Sequence, residues 1–482
     1  MPGIIAYGGY VPRLRLQRKS MVEANAWFNP GLAAYAKGER AICNWDEDAV
    51  TMAVAASRDC LSDSGGAEPP KLDAVYIAST TLPFQDRQCA TLLATALDLP
   101  DGLETLDLTT SQRAGTSALI AGLRRGGNVL VAASEHRRTK AASALELLYG
   151  DGAAALLLGA SDGTAKLIAT HSVSNDFVDH YRGETESFDY MWEERWIRDE
   201  GYMKIVPQAL AGLAEKAKVK GADIAHFVLP CLYAAVPQQI AKRVGIPDAA
   251  VRDNLQTGLG NTGAAHAIVM LVHALQQAKP GEKILVVGFG QGCDALLFEV
   301  TPAIAQLSPR EGIAGALKRG RAEANYNRFM AFNSLVTQDG GMRSEIDRQT
   351  PLSMLYRNRD MLTALNGGRC TKCGTRQFPK SHICVNPNCG ALDTQEDAPF
   401  ANTGASIVTW SADWLTYTPD PPAHYGMVQF DGGGRMMADF TDVDPGSFDV
   451  GTKMRMVFRV REYDKQRGFR KYFWKATPVA KG

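Results

Sequence analysis

Four cysteines stand in two close pairs, Cys370-Thr-Lys-Cys373 and Cys384-Val-Asn-Pro-Asn-Cys389, with ten residues between the pairs. Each pair fits a turn, so both of its sulfurs can face one ion. Four thiolates make a closed tetrahedral site with no position left for water. The ion is then structural: about 10–16 kcal/mol of binding free energy goes into folding a ribbon too small to build its own core. Zinc suits this donor set, and iron held by the same thiolates is the alternative. A redox-active Cys-x-x-Cys is another reading of either pair alone, and two pairs at this spacing argue against it. His382, between the pairs, is a bystander.

The other five cysteines, Cys43, Cys60, Cys89, Cys231 and Cys293, are scattered. An odd total with one tight cluster fits a reducing compartment better than a disulfide framework. The N-terminal MPGIIAYGGYVPRLRL lacks the charged-then-apolar layout of a secretion signal, and no apolar run approaches a bilayer span. A cytoplasmic protein is expected. Lys plus Arg and Asp plus Glu balance at 52 each, so no global charge draws the chain to nucleic acid or an anionic membrane. The chain has 482 residues, 45% hydrophobic and 22% charged, which is globular composition at a length that implies several domains.

The elements that must carry any site show as periodicity. Residues 46–61 predict an amphipathic helix opened by acidic residues, and 72–79 a buried strand. A helix over about 88–98, the strand LETLDL, the helix GTSALIAGLRR, the strand NVLVAAS and the strand AAALLLG follow. A helix over 203–216, the strand AHFVLP, the helix PQQIAKRVGI, the helix NTGAAHAIVMLVHALQQA and the strands KILVVGFG and ALLFEV complete the series. Such alternation predicts an α/β fold with a largely buried sheet. DLTTSQRAGTSALIAGLRRGGNVLVAAS and LQTGLGNTGAAHAIVMLVHALQQAKPGEKILVVGFG match turn to turn, helix to helix and strand to strand, which predicts a duplication into halves 1–165 and 166–301. Residues 171–202 interrupt the second half with a polar, aromatic, aperiodic stretch. It reads as a functional loop or as one packed on a neighbouring subunit. Residues 302–368 predict a helical linker, 369–395 the ribbon, and 396–482 about five short strands of an OB-like barrel. In that barrel Arg455, Arg459, Arg461, Arg467, Arg470 and Lys471 alternate with Phe458, Phe469, Tyr472 and Phe473. This is part of a single-strand nucleic-acid pattern, or simply a solvated basic face.

DLTTSQRAGTSAL, YGDGAAALLLG and GLGNTGAAHAIVMLVHALQQAKPGEKILVVGFGQG resemble the thiolase superfamily, in its hydroxymethylglutaryl-CoA synthase and ketoacyl-synthase III branch, over about residues 3–300. Asn175-Asp-Phe177 is similar to a further segment of that family, with Val178 where the family has Trp. Residues 320–482 resemble the zinc-ribbon/OB-fold proteins that accompany archaeal-type thiolases and synthases as separate partners. The resemblance implies a five-layer αβαβα fold, a homodimer, and a coenzyme A thioester as substrate, with acyl-CoA and not nucleic acid as the ligand of the barrel. It also implies a catalytic Cys, His, Asn and Glu. Laid on this chain without gaps, the Cys position falls on Gln112, the His position on Val228 or Cys231, and the Glu position near Thr80, while Asn261 is kept.

A primary amide forms no acyl-enzyme. The expectation is therefore an enzyme that makes or breaks a C–C bond beside the thioester without an acyl-cysteine, by aldol or decarboxylative chemistry. The alternatives are a synthase-like acyltransferase with a displaced nucleophile, Cys231, and a non-catalytic acyl-CoA scaffold. Gln112 and Asn261 are the candidate donors to a thioester oxygen, although Asn261 also suits a helix N-cap. Tyr233, His180, Asp176 and Tyr181 are candidate acids or bases. His266 follows Asn261 by little more than one turn, as a site residue or a buried structural histidine. Gly290 and Gly292, in Gly288-Phe-Gly290-Gln-Gly292, are candidate backbone donors to the coenzyme, or a plain glycine turn. Trp192-Glu-Glu-Arg-Trp196 is a lid or a salt-bridged helix.

Overall fold

The computed structural model describes residues 2–62 and 70–479. They fall into two compact units: Met1–Asn44, Asp48–Thr91 and Gly102–Leu335 make the first, and Trp45–Glu47, Leu92–Asp101 and Val336–Gly482 the second. Among the described residues no helix is long and apolar enough to cross a membrane.

The first unit is built on a nine-stranded sheet. In chain order its strands are β1 (Gly3–Tyr10), β2 (Ala74–Ala78), β3 (Glu104–Leu108), β4 (Val129–Glu135), β5 (Gly152–Gly159), β6 (Ala165–Ser174), β7 (His226–Val228), β8 (Lys283–Phe289) and β9 (Gly292–Val300). Their order across the sheet is β7-β8-β9-β6-β1-β5-β4-β2-β3. The halves meet where β1 and β6 pair antiparallel, Gly3 opposite Lys166. Outward from that seam β1, β5, β4 and β2 answer to β6, β9, β8 and β7, which is the duplication read in the sequence. β4 and β5 are buried along their whole length, so their apolar residues run on instead of alternating.

Helices complete five layers. α1 (Ala49–Leu61) packs on β1 and β5, while α2 (Ala114–Arg125) and α4 (His266–Leu275) pack together between the halves. α3 (Met203–Ala217) covers the outer face of β6 and β9. The acidic start expected for α1 is a capping box: the Asp48 carboxylate accepts from the N–H groups of Val50 and Thr51, and Thr51 Oγ1 accepts from the N–H of Asp48. α2 ends at Gly126, whose φ is +76°, with Arg124 and Arg125 in its last turn to meet the helix dipole. α4 is apolar almost all round because it is enclosed on every side. At Gly115 a β-carbon would lie 2.4 Å from the carbonyl oxygen of Ala264, so α2 and the turn into α4 meet backbone to backbone.

Two strands of the nine-stranded sheet go beyond the periodicity of the sequence, and both are central. β1, GIIAYGGY, is broken up by glycines, and β6 is only partly buried, so neither shows a clean strand pattern. The aperiodic stretch expected from residue 171 therefore begins inside β6. After it come a short ribbon pairing His180–Tyr181 with Tyr190–Met191, and a π-helical turn, Ile197–Tyr202, leading into α3.

In the second unit a three-stranded ribbon sheet (β10, Asn366–Cys370; β11, Arg376–Gln377; β12, Gln395–Pro399) precedes a five-stranded antiparallel sheet. The latter is ordered β15-β14-β13-β16-β17, from β13 (Ala405–Asp413), β14 (Ala423–Phe430), β15 (Arg435–Asp439), β16 (Lys453–Asp464) and β17 (Phe469–Pro478). Its core holds Phe430, Phe458 and Trp474. The expected basic face is incomplete. Arg459 is buried in an ion pair with Asp442, and Arg467 is held by Asp464 and Asp347.

Candidate active site

The N-terminus of α2 is where the first unit concentrates polar side chains. Thr110 turns the chain there with φ of +69°, and Ser111, Gln112 and Arg113 lead into the helix. Gly290 presses on this turn: a β-carbon on it would lie 3.0–3.1 Å from the Arg113 and Gln112 backbone nitrogens. The Gly290 carbonyl accepts from Ser111 Oγ, and its N–H closes on the carbonyl of Gly292. Gly290 and Gly292 thus buttress the helix start, and the N–H of Gly290 is already committed. Arg113 is neutralised by Asp294, 3.0 Å away, whose carboxylate also accepts from Thr116, Ser117 and Ser172.

The Gln112 amide nitrogen lies 3.1 Å from Nε2 of His180. An amide N–H only donates, so Nε2 is the acceptor and the ring proton sits on Nδ1. Nδ1 in turn lies 3.1 Å from the Asp179 carboxylate. Asp179, His180 and Gln112 therefore form a line with the geometry of an acid–base–nucleophile triad, with an amide in the nucleophile's place.

The segment bearing His180 is pinned by charge. The Asp189 side chain is almost fully buried and pairs with both Arg137 and Arg182, and Arg182 also donates to the carbonyl of Thr80. Beside it lies a cavity of about 240 Å³ lined by Asp179, His180, Tyr181, Tyr190, Trp192 and Trp196. Trp196 stacks on Phe177 at 4.1 Å, which ties the cavity wall to the core.

Asn261 is buried next to Tyr149, and its side-chain oxygen accepts from the N–H of Gly263. That leaves its amide N–H groups to donate. Gly263 has φ of +52°, and a β-carbon there would lie 2.5 Å from Glu135 Oε2 and 3.1 Å from Gln112 Oε1. Gln112, Asn261 and Glu135 thus surround one glycine.

Glu135 was not foreseen. It ends β4, and its carboxylate accepts from Ser79 Oγ, from the N–H and Oγ1 of Thr80, and from Thr81 Oγ1, at 2.5–3.1 Å. It brings a carboxylate to Thr80, the place where the resemblance leads one to expect a Glu. The only sequence signal was an acid at the end of an otherwise apolar strand.

Other expected residues fall outside this constellation. His266 donates from Nε2 to the carbonyl of Asn254 and accepts at Nδ1 from the N–H of Thr262. Burial pulls its pKa down to about 4, so it is a neutral structural histidine. Cys231 is fully buried and its thiol is pushed up to about 12 by that burial, against hydrogen bonds from the Tyr233 N–H and the Tyr202 hydroxyl. Tyr233 packs edge-on to Tyr202 at 6.1 Å. Tyr202, also unforeseen, stacks on Phe289 at 4.1 Å. Burial raises the pKa of Tyr149, Tyr202 and Tyr233, and the charge of Asp179 adds to the effect in each, so all three phenols stay protonated. Asp176 is exposed.

In the ribbon, Cys370, Cys373, Cys384 and Cys389 bring their sulfurs within 4.8 Å of one another. The Cys370–Cys389 and Cys373–Cys384 separations are 3.9 and 3.5 Å. Sulfurs at about 2.3 Å from one tetrahedral ion stand about 3.8 Å apart, so the four fit a single zinc.

Comparison with known proteins bears on the whole chain. Residues 214–299 match the family model for the C-terminal part of 3-oxoacyl-[acyl-carrier-protein] synthase III. Residues 365–395 match the ChsH2 rubredoxin-like zinc ribbon domain, and 401–459 the ChsH2 C-terminal OB-fold domain. A hydroxymethylglutaryl-CoA synthase of Pyrobaculum arsenaticum is 30% identical over 347 residues, spanning 69% of this chain and 98% of that protein. One of Methanosarcina mazei is 30% identical over 342 residues, 68% and 96% of the two chains. Among solved structures, 3-oxoacyl-(acyl carrier protein) synthase III from Pseudomonas aeruginosa PAO1 superposes with a TM-score of 0.56 at 20% identity, covering 64% of this chain and 99% of its own. MvaS in complex with 3-hydroxy-3-methylglutaryl coenzyme A superposes at 0.58 and 18% identity, covering 83% and 99%. The five-layer α/β architecture is therefore thiolase-like, and the chain belongs to the hydroxymethylglutaryl-CoA synthase family, with a ChsH2-type zinc ribbon and OB-fold domain following in the same polypeptide.

Proposed function

We propose that this protein is an acyl-CoA enzyme that breaks or makes the C2–C3 bond of the acyl group by aldol chemistry, with no acyl-enzyme. The observation that carries this reading is the Asp179–His180–Gln112 line, an oriented imidazole aimed at the place where the family's cysteine would stand. In the cleavage direction the bound thioester takes over the Gln112 N–H that His180 Nε2 accepts in the free protein, and the freed Nε2 takes the proton of a β-hydroxyl group. The C2–C3 bond breaks as the new carbonyl forms on C3. Its electron pair passes to the thioester as an enolate, whose oxygen is held by N–H groups of Gln112 and Asn261. The proton now on the imidazole returns to C2. The products are a ketone or aldehyde and a shortened acyl-CoA, and the reverse direction uses the same groups. Glu135 keeps the turn at Thr80 and Gly263 in register, and the aromatic cavity beside His180 receives the acyl part. The cysteine set of the ribbon holds a structural zinc.

The relatives named above as synthases support acyl-CoA as the substrate class. The high pKa of the buried Cys231 thiol speaks against a nucleophile displaced to that position. The test is intact mass after incubation with saturated and β-hydroxyacyl-CoA thioesters, with coenzyme products read from the same samples. A shortened acyl-CoA without a covalent adduct is expected. An acyl adduct on the protein would overturn the proposal.

A further inference from the structure

We infer a second metal site, for zinc, formed by Cys43, His136 and Asp151 in the first unit. Cys43 follows the strand Glu39–Ile42, His136 is the residue after β4, and Asp151 immediately precedes β5. One donor atom from each lies within 4.8 Å of the other two. Sulfur, imidazole nitrogen and carboxylate oxygen from three protein ligands, with a fourth position open, are the donor set and count of a zinc site.

Two further observations point to an ion. Asp151 is 1% exposed and its Oδ1 has no hydrogen-bond partner, whereas buried carboxylate oxygens are nearly always satisfied. Nδ1 of His136 stands 3.1 Å from Asp151 Oδ2, which also accepts from the N–H of Cys43. Two ligand atoms at about 2.0–2.1 Å from one zinc, at near-tetrahedral angles, stand about 3.3 Å apart with their lone pairs converging on the ion. The separation seen here is of that kind.

Arg40 is buried beside the cluster, and Asp151, Glu146 and Cys43 all favour its charged form. A dication would join Arg40 in offsetting those two carboxylates and a Cys43 thiolate. A thiol would give up its proton to the solvent on binding the metal. His136 keeps 14% of its side chain exposed, which is the way in for the ion. Because His136 adjoins Glu135, a metal here would fasten the strand end that carries that carboxylate.

The test is metal content of the purified full chain by mass spectrometry, with X-ray absorption on the zinc. The wild type is expected to hold one zinc more than Cys43→Ser and than His136→Gln, and its average zinc coordination to include nitrogen and oxygen besides sulfur. Losing the ribbon ligands in Cys370→Ser/Cys373→Ser should leave one zinc in place. Equal zinc content in wild type and His136→Gln, or a sulfur-only environment in the wild type, would overturn the assignment. The absorption measurement needs no variant, so misfolding of a substituted chain does not shield the proposal.

Discussion

Gln112 and His180 are 68 residues apart in the chain, yet the amide nitrogen of one lies 3.1 Å from Nε2 of the other. The contact joins the start of α2 in one half of the duplicated sheet to a loop that leaves β6 in the other. If that pair does the chemistry, His180→Ala should lower kcat/KM by about 10²–10⁴-fold, the usual range for a positioned acid–base. Asp179→Asn should cost a similar factor, because the amide no longer fixes the ring tautomer. The double variant should be little worse than either single one, since the residues act as a unit. Steady-state kinetics together with calorimetric binding of the substrate thioester check this; an unchanged Kd places the loss in turnover.

Glu135→Gln tests the carboxylate at Thr80. Five donors converge on that carboxylate, the longest being the N–H of Ala264 at 3.5 Å, and an amide satisfies them poorly because its own nitrogen must also donate. A loss of about 1.5–3 kcal/mol in stability is expected for the charged hydrogen bonds, with a fall in turnover. Denaturant titration and kinetics on the same preparation read both.

Asp189→Ala leaves Arg137 buried without its anion. Breaking a buried pair by removing one partner costs about 3–5 kcal/mol. The damage should centre on residues 178–192, whose amide hydrogen exchange should accelerate while α2 and α4 stay protected. If the exchange of that segment did not change, Asp189 would not be the pin described above.

His266 supplies a pH dependence with a definite sign. Its pKa in the folded protein is about 4, below the ordinary 6.5. The unfolded chain therefore binds more protons between these values, and stability is lost as pH falls from 6.5 toward 4. Between pH 7 and pH 5 the loss is about 2 kcal/mol. His266→Gln should flatten that part of the profile in denaturation monitored at both pH values.

Chelation tests the ribbon. Removing the metal, or substituting Cys384→Ser, should make residues 370–389 susceptible to protease, because this segment has few apolar side chains to hold it otherwise. Limited proteolysis with and without added zinc is the measurement, and zinc should restore resistance in the wild type only.

The parts that were legible in the sequence share one property, which is locality. The cysteines of the ribbon are close in the chain, and their spacing alone announces a turn pair. Asn261 sits in a short glycine-rich motif, and Gln112 is found by counting without gaps. His180 stood out only as one of several polar residues in an aperiodic stretch. It reaches Gln112 because Asp189 is gripped by Arg137 and Arg182, one of them some fifty positions upstream, and no local pattern encodes that grip. Glu135 was hidden for a different reason. It ends an apolar strand, and its partners Ser79 and Thr80 directly follow the neighbouring strand β2, so only sheet pairing brings them together. β1 escaped notice because glycine interrupts its apolar run where other backbone comes close.

The carboxylate of Glu135, held by Thr80, also bears on how such proteins are sorted. An alignment read column by column scores Gln112, Val228 and Thr80 as three losses and labels the chain inactive. On the proposed reading an imidazole and a carboxylate have re-entered the same small volume from other strands and loops, so the inventory of groups persists while their addresses change. Judging whether members of this family are alive or degenerate then calls for asking which atoms occupy the space around Gly263, and not which letters occupy the aligned positions.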